Sequence, residues 1–301
     1  MIVYLDLNKW IEIAKIENGK DTSKRAQRIR FELNAAKSNG CFFPLSAIHY
    51  MEFSRISNIG RRKRLGKVMW EYSQGYTLIP PWELIDREIE VALNKYIPEI
   101  IPRTLVLLGN GIDFAFGITI TKHLNQHLKD DFNRALLMGD EQLKIEPILS
   151  KNLNKNRLSF LNHLNDFHNK NKMLSDANVN IDNFLNAITM CDIIEPLNRI
   201  LIKHNLNYDH ITKILHDANN LIVNSMPTRC LDIHLHKQVL KNNEYKAKIS
   251  DLEDWSGLGV ASCYCDVVIC EKHFADLLKR DNYSSKARIE TDLCDFIHDI
   301  I

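Results

Sequence analysis

The chain is poor in glycine and proline, with 11 and 8 of them in 301 residues. That is too few for an all-β fold with many tight turns, or for long flexible linkers. No C-x-x-C pair occurs among its seven cysteines (Cys41, Cys191, Cys230, Cys263, Cys265, Cys270, Cys294). The number is odd and the spacing suits neither a disulfide framework nor a zinc site, so reduced thiols in a cytoplasmic protein are expected. An excess of either charge is also missing: 39 basic residues face 38 acidic ones, for a net charge of +1. Any contact with a polyanion must therefore come from local patches, because phosphate attraction acts over a Debye length of about 8–10 Å. No run approaches the roughly 18 apolar residues of a membrane helix, so no membrane partner is expected. The opening Met1-Ile-Val-Tyr-Leu-Asp6 reaches a carboxylate too soon for a secretory signal.

What is present is an ordinary globular balance, 45% hydrophobic and 26% charged. Ile2–Leu7 is apolar and reads as a short buried strand. Lys9–Glu17 carries Trp10, Ile13 and Ile16 at helical spacing, and a second helix over about 23–37 stops at Ser38-Asn39-Gly40. Cys41–Leu45 reads as another strand, and Ser46 as the N-cap of a helix through His49, Glu52 and Ile56. Strand, helices, strand, helix is the opening of an α/β fold with a parallel sheet.

After Pro80-Pro81 the pattern becomes helical, with segments at Leu84–Lys95, Ile120–Leu137, Arg157–Asn171, Ile181–Leu201 and Tyr208–Val223. Thr104–Leu108 is the one strand-like stretch in that region. The α/β pattern returns with a helix over Leu252–Tyr264, a buried strand over Asp266–Cys270 and a helix over Lys272–Lys279. The expected plan is an α/β core of residues 1–82 and 227–301, interrupted by a mainly α-helical insertion over 83–226.

The acidic residues fall where such a sheet faces its ligands. Asp6 stands at the C-terminal end of the first strand, beside the crevice of an open parallel sheet. Glu271 repeats that placement at the end of the late strand, and Asp266 opens the same strand. Glu52 lies two turns into its helix. Asp251 and Asp254 stand near the start of another, where Asp251 suits a helix cap as well as a ligand. If the first and last strands are neighbours, Asp6 and Glu271 converge. Clustered carboxylates raise one another's pKa, and divalent cations relieve them. Oxygen donors of this kind suit Mg²⁺ or Mn²⁺.

Three stretches together resemble the PIN-domain nucleases: Tyr4-Leu-Asp-Leu-Asn-Lys-Trp10, Pro44-Leu-Ser-Ala-Ile-His-Tyr-Met-Glu52, and Asp251-Leu-Glu-Asp-Trp255 through Ala261 and Asp266 to Glu271-Lys-His-Phe274. Such proteins open with a strand ending in Asp, with Ser, Thr or Asn two residues later, as Asp6 and Asn8 do. A helical Glu follows, matched by Glu52, and then a helical Asp, a hydrophobic strand and a last acid, matched by Asp254, Val267–Ile269 and Glu271. The resemblance spans about residues 1–75 and 227–279, roughly two fifths of the chain. It departs from the family in two ways. The last acid is usually Asp, with Asp266 here as a possible substitute, and the middle of the chain is far longer. The resemblance implies a three-layer core with a central parallel sheet and an endonuclease, RNA favoured over DNA, with Asp6, Glu52, Asp254 and Glu271 holding Mg²⁺ or Mn²⁺.

Lys272 beside Glu271 is placed to stabilise developing negative charge. Asn8, His49, Arg61, Arg62 and Arg64 are candidate substrate contacts. The basic run equally suits a solvated helix face, and His49 equally suits a buried structural role. Asp232-Ile-His234-Leu-His236 has the look of a metal pair without a third ligand. The helical insertion is expected to shape access to the site, or to hold a protein partner or a second copy. The alternative from a different class is a catalytically inactive PIN-like module that binds or assembles through its helical region. Metal binding separates the two.

Overall fold

The computed structural model describes residues 1–138, 180–214, 217–242, 245 and 248–295. The helix expected over Arg157–Asn171 lies outside the described residues. By its own contacts the chain divides into two units: Met1–Pro80 with Val106–Arg157 and Glu253–Ile301, and Pro81–Leu105 with Leu158–Leu252. The sequence-based boundaries differ from this division. Residues 106–138 pack with the first unit, and residues 227–242 with the second.

Unit 1 is mixed α/β. Strand β1 (Val3–Leu5) leads through Asp6 into α1 (Leu7–Glu17) and α2 (Lys24–Ser38). Helix α2 begins where its sequence signal lies, with the Ser23 hydroxyl accepting from the Ala26 N–H at 3.1 Å. Next come α3 (Ala47–Ser54), α4 (Ile59–Ser73) and β2 (Tyr76–Leu78). Following α5 (Pro81–Asn94) of the other unit, the chain returns with β3 (Leu108–Asn110), α6 (Gly111–Phe116) and α7 (Gln126–Leu137).

Strand β4 (Val267–Ile269) lies between β1 and β5 (Arg288–Glu290), all parallel, in register Val3↔Val267↔Arg288 through Leu5↔Ile269↔Glu290. The first and last apolar strands are thus direct neighbours. β2 and β3 pair antiparallel.

The strand expected at Cys41–Leu45 is reduced to two isolated parallel bridges, Ile2↔Phe42 and Leu45↔Thr77. Pro44 has no N–H to donate, which interrupts the ladder between them. The segment nonetheless runs between β1 and β2, so backbone bonds continue across unit 1 from β3 to β5. Its core gathers Leu5, Trp10, Ile13, Ile29, Leu33, Phe43, Leu45, Tyr50 and Met69 around this sheet. Gly66 of α4 lets α7 approach: an added Cβ would stand 1.6 Å from the Leu137 carbonyl oxygen.

Unit 2 is helical in its described residues. It contains α5, α8 (Ile181–Lys203), α9 (Tyr208–Ile214), α10 (Ala218–Val223) and α11 (Pro227–Leu240). The single helix expected over Tyr208–Val223 is thus two short ones. A separate apolar cluster holds this unit together, with Ile89, Leu93, Ile193, Leu197, Leu201 and Ile222 fully or nearly fully buried. The division falls in the first turns of α12 (Ile249–Tyr264), and α13 (Lys272–Lys279) follows β4. No helix among the described residues is long and apolar enough to cross a membrane.

Candidate functional site

The parallel register brings Asp6 and Glu271 to the same edge of the sheet, one step past the ends of β1 and β4. Asp6 is 8% exposed and caps α1, its Oδ1 accepting from the Leu7 N–H at 2.7 Å. Burial pushes its carboxyl up from 3.8 to about 6, and the neighbouring Glu271 charge adds to that. N–H groups of Leu7 and Glu271 and the Lys9 ammonium oppose the shift without cancelling it. Glu271 is exposed, and Asn8, the second residue of α1, donates to its Oε1. The two residues of the Asp-x-Asn motif therefore act on one place, Asp6 as the buried acid and Asn8 as the group that holds the second.

Two further acids reach the same neighbourhood. The buried Tyr4 hydroxyl, hydrogen-bonded to Ser46 Oγ at 2.8 Å, is raised well above its ordinary pKa by burial and also by the charges of Asp6 and Glu52. The buried Cys270 thiol is pushed up to about 12 by burial, then by Asp6 and Asp254. Glu52 thus acts with Asp6 on Tyr4, Asp254 acts with Asp6 on Cys270, and Glu271 acts on Asp6 itself. Helix α12 comes this close through Gly257, where an added Cβ would lie 2.9 Å from the Tyr4 hydroxyl and 3.2 Å from Ile48 Cγ1. Asp254 is three residues before Gly257 and Glu52 four after Ile48, so each lies one turn along from that contact.

Asp266 is not part of the group. It precedes β4, at the opposite end of the strand from Glu271, about 15 Å away at strand spacing. Its Oδ2 accepts from the Ile2 N–H at 2.7 Å. Asp251 takes its capping alternative: it is buried and accepts from the Lys248 N–H at 2.7 Å and the Tyr245 hydroxyl at 2.5 Å.

Among the proposed substrate contacts, His49 is corrected by its surroundings. It is 1% exposed and its ring is fully engaged, Nδ1 accepting from the Ser46 N–H at 3.0 Å and Nε2 donating to the Leu5 carbonyl at 2.8 Å. Burial lowers its pKa to about 4, so it is a neutral histidine that ties α3 to β1. Arg62 is likewise buried, on the face of α4 that carries Leu65 and Met69, and cannot serve as a surface contact. Arg61 and Arg64 are exposed on α4, and Lys272 is exposed at the start of α13.

His234 is buried within α11 and His236 Nδ1 donates to the Asp232 carbonyl at 2.8 Å, so the histidine pair belongs to helix packing. Cys265 and Cys270 are buried small hydrophobes. Lys9 was missed by the sequence reading. Its Nζ donates to the Thr291 carbonyl at 2.6 Å, and its charge acts on Asp6. A cation three residues after an acid at a helix start was the available signal.

The four acids offer only hard oxygen donors, the set that suits Mg²⁺ or Mn²⁺. As their side chains stand, no three His, Cys, Asp or Glu residues among those described lie close enough together to hold an ion. The donor chemistry fits such a cation, and the spacing requires side-chain rotation before three of them could ligate one. Comparison of the chain with protein-family models, with curated proteins and with solved structures returns no match.

Proposed function

We propose that unit 1 is the core of a metal-dependent nuclease that hydrolyses phosphodiester bonds of nucleic acid, with RNA favoured by the PIN-domain resemblance. The observation that carries this reading is the Asp6–Glu271 pair. A buried carboxylate set against a second acid at the C-terminal edge of a parallel sheet is costly for folding, and cation binding makes use of that cost. The strand succession β3, β2, residues 42–45, β1, β4, β5, mostly parallel, supports a PIN-like core with its central sheet between helical layers.

When bound, a Mg²⁺ or Mn²⁺ ion supplies a water of lowered pKa and neutralises charge on the leaving oxygen. In this reading Asp6, Glu52, Asp254 and Glu271 hold the ion. The Leu7 and Glu271 N–H groups fix the Asp6 carboxylate, and Asn8 fixes the Glu271 side chain. Lys272, at the lip of the site, is positioned to meet a phosphate oxygen.

The absence of a preformed three-ligand group among the described residues favours a second reading, an inactive PIN-like module acting through its helical unit. Labelled single-stranded RNA and DNA incubated with Mn²⁺, Mg²⁺ or EDTA separate the two, wild type beside Asp6→Asn. Cutting that needs the metal and is lost in Asp6→Asn supports the nuclease. No cutting under any metal, together with no Mn²⁺ binding by calorimetry, supports the inactive module.

A further inference from the structure

A concave feature of unit 1 lies between α1 and α4, a cleft of about 520 Å³. Its floor is apolar, from Ile11, the buried Ala14 and Leu65, and its rim carries Lys15, Asn18, Lys20, Arg61 and Arg64. Those rim residues are all exposed. Four cations thus surround one cleft, and among the described residues no carboxylate lines it. The acids of α1 point to other partners, Glu12 to Arg25 and Glu17 to Arg30. Asp21 lies within electrostatic reach of Lys15, with its Oδ1 taken by the Ser23 N–H at 3.0 Å. None of the four rim cations forms an ion pair among the described residues.

We propose that this cleft binds single-stranded nucleic acid, the sugar–phosphate chain on the four cations and unpaired bases over the apolar floor. The inference rests on the nuclease reading and names the form of its substrate. Charge decides the class of ligand, since an acid-free rim of four cations suits a polyanion. Shape decides the strand number. Packed helices stand only about 8–10 Å apart, so a groove between two of them admits one strand. Bases held in a duplex cannot reach the floor, whereas splayed bases of a single strand can.

The cleft also runs along the helix that begins at Asp6: its α1 residues, Ile11 to Asn18, lie about 7 to 18 Å along the axis from that carboxylate. Among the described residues no aromatic ring lines it, so base stacking adds nothing and the phosphate contacts dominate binding.

The test is fluorescence anisotropy of a labelled mixed-sequence 12-mer in EDTA, where binding is read without cleavage. Four phosphate contacts give a slope of log affinity on log salt of about −3, or roughly 50-fold weaker binding between 50 and 200 mM salt. Lys15→Gln with Arg64→Gln is expected to halve that slope and to weaken binding about tenfold. Lys20→Gln with Arg61→Gln repeats the measurement on the other two cations, and circular dichroism checks the fold of each variant. RNA and DNA strands should bind within about threefold of one another, because phosphate and not the 2′-hydroxyl is contacted. A blunt duplex of the same length should bind at least about tenfold more weakly.

Wild-type affinity in both well-folded double variants, or equal binding of duplex and single strand, overturns the proposal. Cleft-dependent binding without any metal-dependent cutting sinks the nuclease reading and leaves the cleft standing as a single-strand site.

Discussion

Glu90 of unit 2 and Asp6 of unit 1 are buried acids in opposite settings. In unit 2, Glu90 is 3% exposed on its side chain and is held by Arg103 through both guanidinium and backbone N–H bonds at 2.8–3.1 Å. Burial pushes its carboxyl up, the Arg103 bonds more than reverse this, and its pKa ends below the usual value. Glu88 accepts from the Thr228 hydroxyl at 2.6 Å and from its N–H at 3.2 Å. Asp86 takes Arg199 at 2.6 Å. In unit 1 Asp6 is equally buried, yet its strongest side-chain neighbour is another acid, and its pKa is raised to about 6. Carboxylates matched to donors and cations serve a fold. One held against a second acid weakens the fold, and such a placement points to a task beyond folding.

The comparison makes its largest claim at Asp6. The folded chain holds the Asp6 proton more tightly than the unfolded chain does. Its contribution is therefore fully present below about pH 4 and is lost as pH rises through 6. A shift from 3.8 to about 6 corresponds to roughly 3 kcal/mol. Asp6→Asn should then raise stability by up to about 3 kcal/mol at pH 7.5 and by almost nothing at pH 4, read by urea unfolding at both values. In the cleavage assay the same variant should lose on the order of 100- to 1000-fold in rate. Lower stability of Asp6→Asn at pH 7.5 would erase the contrast between Asp6 and Glu90.

His49 has the opposite sign. Its pKa falls from 6.5 to about 4 on folding, so its contribution is present above 6.5 and is lost as pH falls toward 4. Between pH 4 and 6 the two groups offset each other in the wild type. The Asp6→Asn variant should show a steeper loss of stability on the acid side.

Gly257→Ala comes next. Its new methyl meets the Tyr4 hydroxyl and Ile48 and should cost about 1–3 kcal/mol by overpacking. It should lower nuclease activity as well, by moving α12 and Asp254 away from β1, and the cleavage rate of the folded fraction would show this. Arg103→Ala in unit 2 should cost about 1–2 kcal/mol, a value reduced because the arginine is half exposed. Its cleavage rate should match the wild type. Asn8→Ala is the smallest: stability within about 0.5 kcal/mol and activity lower by about tenfold, the scale for releasing a group that orients a ligand.

The sheet edge was legible in the sequence because each strand is an apolar run stopped by an acid. Ile2–Leu5 ends at Asp6 and Val267–Cys270 at Glu271, and that boundary survives any error in strand length. Strand β5 was not legible, since Arg288-Ile-Glu290 alternates charge with one apolar residue and looks like loop. Sequence alone leaves His49 open between substrate contact and structural role and puts Arg62 among the surface contacts, both for one reason. A residue type does not show which face of a short helix turns inward, and both lie on the buried rows of their helices. The pairing of Glu90 with Arg103 joins a helix to the loop after it, and no helical spacing announces such a bond.

Strand β1 makes its central pairing with residues 267–269, so the site joins segments separated by more than 260 positions. Loop-closure entropy makes this contact late relative to local helices, which need only near neighbours. During synthesis from the N-terminus, Asp6 and Glu52 emerge early, while Asp254 and Glu271 follow only after the whole of unit 2. No nascent or prematurely terminated chain that stops before residue 271 carries all four acids. The complete acid set therefore assembles only after residue 271 has been made, and a frameshift anywhere upstream of that residue removes it.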